Sequence, residues 1–247
     1  MQKLARRARD LLGLGAEPLP DLVALVEDRL GIDVAVEPLP EGVEGLSLRL
    51  EDFALVLVRS QPVLGRERFT LAHEVGHLLA GDAQPVYLDE DLVGRGLPEV
   101  RANAFAAHFL MPPDGIERRL GGRPIDGQVA CELQDAFGVS LEALLWHLRN
   151  LGLLTEAQQE QLQAAGPKAL ALRHGYLAEW RASYRSEPVR HPPARLFRRG
   201  MEAYSQGLIG AERLASLLGI EDVEGFRREL EEAGIAPAAW PADTAPA

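Results

Sequence analysis

Apolar residues fall into two different rhythms along this chain, and the switch between them sets the expected architecture. Leu22, Leu25, Val26 and Leu30 recur at helical spacing, Asp21 is placed to cap that helix and Gly31 to stop it. A shorter helix is expected before it, over Gln2 to Leu12. The period then changes. Ile32 to Val36, Gly45 to Leu50 and Ala54 to Arg59 are brief runs rich in Val, Ile and Leu, separated by proline, glycine and acidic turn residues. They predict a small antiparallel three-stranded sheet. After Pro62 helical spacing returns, with elements expected over Arg66 to Ala80, Glu99 to Leu110, Gly127 to Phe137, Leu141 to Leu151 and Thr155 to Ala165. A sheet followed by a run of helices reads as an α+β domain.

Gly166-Pro167 marks a boundary, because proline cannot continue the preceding helix and the composition then turns arginine-rich. The chain is therefore divided into 1–165 and a mainly helical C-terminal region, 166–247. Helices are expected there over Ala194 to Ser205, Ala211 to Leu218 and Val223 to Ala233, and the proline-containing tail from Pro237 to Ala247 is expected to fray. Within the first part, Val129 to Phe137, Gly138-Val139-Ser140 and Leu141 to Leu151 have the rhythm of a helix-turn-helix, in a helical stretch near 127–165. The first turn of its second helix carries little basic charge, so packing or grasping a substrate fits it better than reading DNA. Trp146 is expected in the core.

Composition narrows the function classes. Among 247 residues, 26 basic and 37 acidic side chains give a net charge of −11. A protein that wraps nucleic acid with its whole surface needs the opposite balance. The longest strongly apolar run, Phe53 to Val58, is far too short to span a bilayer. With a single cysteine, Cys131, no internal disulfide can form, and a cytoplasmic protein without membrane contact is expected. Locally the balance reverses: Arg173, Arg181, Arg185, Arg190, Arg195, Arg198 and Arg199 outnumber Glu179 and Glu187. That stretch reads either as a solvated helix face or as a site for phosphate or an acidic partner.

The chemistry concentrates at His73-Glu74-Val75-Gly76-His77, an H-E-x-x-H set inside an amphipathic helix. Four residues along a helix place His73 and His77 roughly 40° apart and about 6 Å along the axis, so both imidazoles can reach one metal ion. Leu71, Ala72, Val75, Leu78 and Leu79 lie on the opposite side, which buries one face and turns the other toward a cleft. Neutral imidazole nitrogen suits zinc, and a carboxylate that is not a ligand, Glu74, can take a proton from water and pass it to a leaving amine.

A catalytic zinc needs a third protein ligand. Downstream stand Asp82, Asp89, Glu90, Asp91, Glu99 and Asp114, and spacing does not choose among them. Glu99 is favoured because it begins a helix, where a carboxylate suits the dipole, and shares a face with Asn103. Asn103 could orient a ligand by hydrogen bonding. His108 lies about 180° around that helix from Glu99, so the two cannot face the same metal; it reads as a packed or partly exposed imidazole.

Two blocks together carry a resemblance. Arg68-Phe69-Thr70-Leu71-Ala72-His73-Glu74-Val75-Gly76-His77-Leu78-Leu79, followed by Glu99-x-x-Ala102-Asn103-x-Phe105-Ala106-Ala107-x-Phe109-Leu110-Met111-Pro112, resembles the ImmA/IrrE family of metallopeptidases. The likeness extends from about Val23 to Leu154. It implies a zincin-like fold and an intracellular zinc endopeptidase, with manganese as the alternative metal. It further implies that the substrate is a helix-turn-helix repressor, whose cleavage relieves repression in a stress or mobile-element response. Under that resemblance His73, His77 and Glu99 are metal ligands and Glu74 is the catalytic base. His108 departs from the family pattern, which has an apolar residue there. Two rivals stand beside this reading: a non-catalytic metal-binding regulator that binds a repressor or DNA through its C-terminal half, and a metal hydrolase acting on a small molecule.

Overall fold

A computed structural model describes residues 1–81 and 96–237. Helices α1 (Gln2–Leu11) and α2 (Leu22–Leu30) lead into strands β1 (Asp33–Glu37), β2 (Gly45–Arg49) and β3 (Ala54–Arg59). Helices α3 (Leu64–Ala80), α4 (Leu97–Leu110), α5 (Pro113–Leu120), α6 (Gly127–Phe137), α7 (Leu141–Asn150) and α8 (Glu156–Ala165) follow. The rest comprises α9 (Pro167–His174), α10 (Leu177–Ala182), α11 (Ala194–Ser205), α12 (Ala211–Leu218) and α13 (Val223–Glu232). The expected caps of α2 are in place, Asp21 accepting the Ala24 N–H at 3.0 Å and Gly31 closing the helix in the left-handed region; Ser140 caps α7, accepting the Ala143 N–H at 3.2 Å. The α+β class holds. Helices α5, α9 and the six-residue α10 are additions to the sequence reading. The first two open on a proline that reads as a breaker but also suits the first helical position, where no partner for its missing N–H is needed.

The sheet has the three expected strands, but it is mixed rather than antiparallel. Its order is β1-β3-β2, with β2 antiparallel to β3 and β1 parallel to β3, Val34 opposite Val56 and Val36 opposite Val58. Pairing in chain order would leave β3, the most apolar strand, at an edge. Placing it in the centre buries Ala54, Val56 and Val58 and satisfies its backbone on both sides. The outer edge of β1 is closed in turn by a two-bond bridge between Val36 and His191. The edge of the sheet that remains belongs to β2.

The main core joins one sheet face to the helices. Val34, Val36, Val56 and Val58 cluster with Leu71 and Val75 of α3, Phe105 and Phe109 of α4, and Leu144 and Leu148 of α7. It continues past Gly166 to Leu170 and Tyr176. A second, smaller cluster of Tyr204, Ala211, Leu214, Ala215, Phe226 and Leu230 holds α11 to α13 together. Cys131 is buried in the first core, which pushes its thiol pKa up and leaves it unreactive. Trp146 differs from expectation: it is 48% exposed, because Leu141, Leu144, Leu145 and Leu148 form the buried stripe of α7 and position 146 falls on the opposite side, about 150° around the helix. Its ring instead carries the Arg149 guanidinium, 5.5 Å from the centroid.

The arginine-rich stretch has a structural use. Arg185 bonds both carboxylate oxygens of Glu67 at 3.0 and 2.9 Å, Arg199 reaches buried Asp33 at 2.6 Å, and Arg190 pairs with Glu37 at 3.6 Å. Arg195 donates to the Glu27 carbonyl at 3.1 Å, while the Glu27 carboxylate accepts the N–H groups of Val34 and Ala194. The local basic excess is thus spent largely on acidic groups of α2, β1 and α3. Among the described residues no helix is long and apolar enough to cross a membrane. The tail expected to fray lies, from residue 238, outside the described residues.

Two outcomes follow from this packing. A Cβ on Gly76 would stand 2.9 Å from Cδ1 and 3.2 Å from Cβ of fully buried Phe105. Gly76→Ala should therefore lower stability by about 1 kcal/mol in denaturant melts, the overpacking of about 1–3 kcal/mol exceeding the helix-propensity gain. The second concerns His147, buried with Nε2–H donating to the Met111 carbonyl at 2.9 Å. Burial lowers its pKa from 6.5 to about 4, against the opposing effect of that hydrogen bond. The unfolded chain takes up a proton first, so the stabilisation is complete above pH 6.5 and is lost as pH falls toward 4, about 3 kcal/mol in all. Melts between pH 7 and 4 should show this decline, and His147→Gln should flatten it.

Candidate metal centre

Helix α3 carries His73, Glu74 and His77, and α4 carries Glu99 and Asn103. The two helices cross where Gly76 admits the Phe105 ring. With the backbones this close, the first turn of α4 comes over the histidine face of α3. His73 Nε2 lies 3.0 Å from Glu99 Oε2, His77 Nε2 lies 3.2 Å from Glu99 Oε1, and the two Nε2 atoms are 3.0 Å apart. Among the described residues these three are the group able to hold a metal ion. Tetrahedral bonds of about 2.0–2.1 Å set neighbouring ligand atoms about 3.3 Å apart, close to the spacings here. The donor set, two imidazoles and one carboxylate, fits zinc, and also manganese with less preference.

Asn103 fixes one of these ligands. His73 Nδ1–H donates to Asn103 Oδ1 at 2.9 Å, so the proton sits on Nδ1 and the lone pair of Nε2 points toward Glu99 and His77. The other sequence candidates are not brought here. Asp114 lies on α5 outside the group. Asp82, Asp89, Glu90 and Asp91 lie outside the described residues. His108 faces away, its ring edge-on to His147 at 4.8 Å between centroids, with Nδ1 buried and unpartnered; burial, and then the N-terminal ammonium, lowers its pKa.

Glu74 stands beside the cluster without joining it. It is buried, and burial raises its pKa, opposed by the charge of His73 and a hydrogen bond from Ser47 and reinforced by Glu99. The carboxyl is thus a better proton acceptor than an exposed glutamate. Two positions of β2 shape this pocket and escape a reading of motifs. Ser47 is the buried residue of its strand, and a Cβ on Gly45 would stand 2.8 Å from Glu74 Oε1 and 2.9 Å from Thr70 Cγ2. The available signal is a serine and a glycine at the inward positions of a strand whose outward positions are leucine. Glu99 remains 44% exposed, so the cluster opens to solvent on its side.

Residues 27–149 match a peptidase family, M78, described as the IrrE N-terminal-like domain. No curated protein matches the chain. Among solved structures, a Mycobacterium tuberculosis transcriptional regulator aligns at 22% identity and a TM-score of 0.42, over 64% of this chain and 48% of that one. The chain thus spans about half the length of that regulator.

Because Gly45 leaves room for the Glu74 carboxylate, Gly45→Val should displace it while leaving the ligands of α3 and α4 in place. Metal content measured by mass spectrometry should stay at the wild-type level. Any hydrolytic activity that depends on Glu74 should fall at least tenfold.

Proposed function

Because residues 27–149 form a domain of the IrrE N-terminal-like peptidase family, we propose that the protein is a metal-dependent endopeptidase that cleaves a helix-turn-helix transcriptional repressor. The observation that carries the hydrolytic part is a buried carboxylate, Glu74, set beside a three-residue metal cluster without belonging to it. A bound divalent ion, zinc or manganese, supplies Lewis-acid polarisation of water and of a peptide carbonyl. Glu74 takes the proton of the attacking water and returns it to the nitrogen of the leaving amine, for which its raised proton affinity suits it. Asn103 holds the His73 ring in one tautomer throughout, and Ser47 steadies the ionised form of Glu74 before the first transfer and after the second.

An extended polypeptide fits the surroundings better than a small molecule. Strand β2 borders Glu74 and forms the edge of the sheet, so its outward backbone groups can pair with a chain laid alongside. Leu97 and Val100 flank Glu99 with 79% and 54% of their surface exposed, apolar area that side chains of a substrate can cover. The choice of a repressor as substrate is supported by the likeness of the two motif blocks to the ImmA/IrrE family. Action inside the cytoplasm accords with the single, buried, unpaired cysteine.

The test compares wild type with Glu74→Gln against candidate helix-turn-helix repressors. Cleavage should fall by about 10²–10⁴-fold in the variant with metal content and melting temperature unchanged. A chelator should abolish cleavage by wild type, and added zinc or manganese should restore it. Equal cleavage by both proteins would overturn the role of Glu74. Metal-loaded wild type that cleaves none of them would turn the reading toward a regulator that binds without cutting.

A further inference from the structure

A second site lies on the far side of α3. A cavity of about 620 Å³ opens between the N-terminal half of α3, the end of α6, the segment before α2, and α9 with α10. Leu71 and Arg68 of α3 line it, and they stand about 160° and 140° around the helix from His73. This space is therefore separate from the metal cluster, and its volume is that of a small-molecule site.

Its accessible wall is apolar: Pro18, Val23, Leu64 and Pro167 line it, over a nearly covered floor of Leu71 and Phe137. Tyr176 and Trp180 add aromatic surface, and the indole Nε1–H of Trp180 is buried without an acceptor. The charged lining residues divide unequally. Glu67 is neutralised by Arg185, and the Arg68 guanidinium is taken up by the carbonyls of Leu19, Pro20 and Gly138, with Asp21 nearby. Asp135 and Glu179 have no such partner. No cation pairs with either among the described residues, and both are exposed; burial, and then the charge of Glu179, pushes the Asp135 pKa up. The cavity thus has an apolar, aromatic interior and two uncompensated carboxylates where it meets solvent.

We propose that this cavity binds a small organic cation with an aromatic body, its rings seated against the apolar wall and its positive nitrogen beside Asp135 and Glu179. A neutral molecule of the same shape would gain the burial but not the charge pairing, and an anion would meet repulsion. The site is independent of the proposed peptidase activity, since none of its residues belongs to the metal cluster.

Calorimetric titration of the full chain with three molecules that share one ring system tests this: 1-naphthylmethylammonium, 1-naphthalenemethanol and 1-naphthoate. The ammonium should bind about tenfold more tightly than the alcohol, and the carboxylate least. In the double variant Asp135→Asn, Glu179→Gln the ammonium and the alcohol should bind alike. Filling the space with Ala171→Phe should abolish binding of all three. Ala171 is buried, so Ala182→Trp, which fills the cavity from an exposed position of α10, gives the same reading if Ala171→Phe fails to fold. Equal affinity for the three molecules in wild type would overturn the charge assignment. Binding that survives both fillers would overturn the site, and absence of binding by any of the three would overturn the proposal as a whole.

Discussion

The approach of α3 to α4 at Gly76 and Phe105 is the contact on which the cleft depends. Two histidines four residues apart can point at a common centre on any helix, but the third donor must arrive from elsewhere in the chain. It arrives because a glycine removes the side chain that would hold the helices apart and an unexposed phenylalanine occupies the space. The same contact sets Asn103 against His73. One close packing event thus places a ligand and the group that orients another. Small-residue contacts of this kind are sensitive to a single methyl, since protein interiors hold few voids to absorb it.

A second constraint is electrostatic. A chain with net charge −11 must still satisfy its buried acidic groups: Arg199 meets the Asp33 carboxylate, and the backbone N–H groups of Val34 and Ala194 meet that of Glu27, whose carbonyl Arg195 holds. Buried carboxylates without partners would be expensive, and removing one member of such a pair costs more than the pair contributes. The region after Gly166 is accordingly joined to the N-terminal part by charge as well as by the Val36–His191 bridge.

Much of this was legible in the chain itself. Helical periodicity located α2, α3, α6, α7 and α11 to α13, because each buries one stripe and caps with ordinary residues. The facing of His73 and His77 followed from their spacing. Other features were not legible, for reasons that are local. Strand direction depends on which edge β3 joins, and nothing in the strands states that. Pro113 and Pro167 signal a stop and a start with the same residue. The exposure of Trp146, about 150° around α7 from the buried stripe, is contained in the helical spacing but not in the residue type. The contributions of Gly45 and Ser47 arise from register across β2 and from contact with α3, which a linear motif does not contain. The arginines from 185 to 199 looked like a surface because their partners lie more than a hundred residues earlier.

Arg9 shows what such long reach entails. Its guanidinium is buried and donates to three backbone carbonyls, those of Gly15, Glu17 and Phe109, with burial lowering its pKa to about 10. Two of these acceptors lie within a few residues, but the third belongs to the end of α4. During synthesis α1 leaves the ribosome well before α4, and Arg9 has no complete set of acceptors until a further hundred residues have emerged. Until then a cationic, amphipathic helix must wait in solvent, where it is open to chaperones and proteases. Helix α1 is therefore made long before it can be secured.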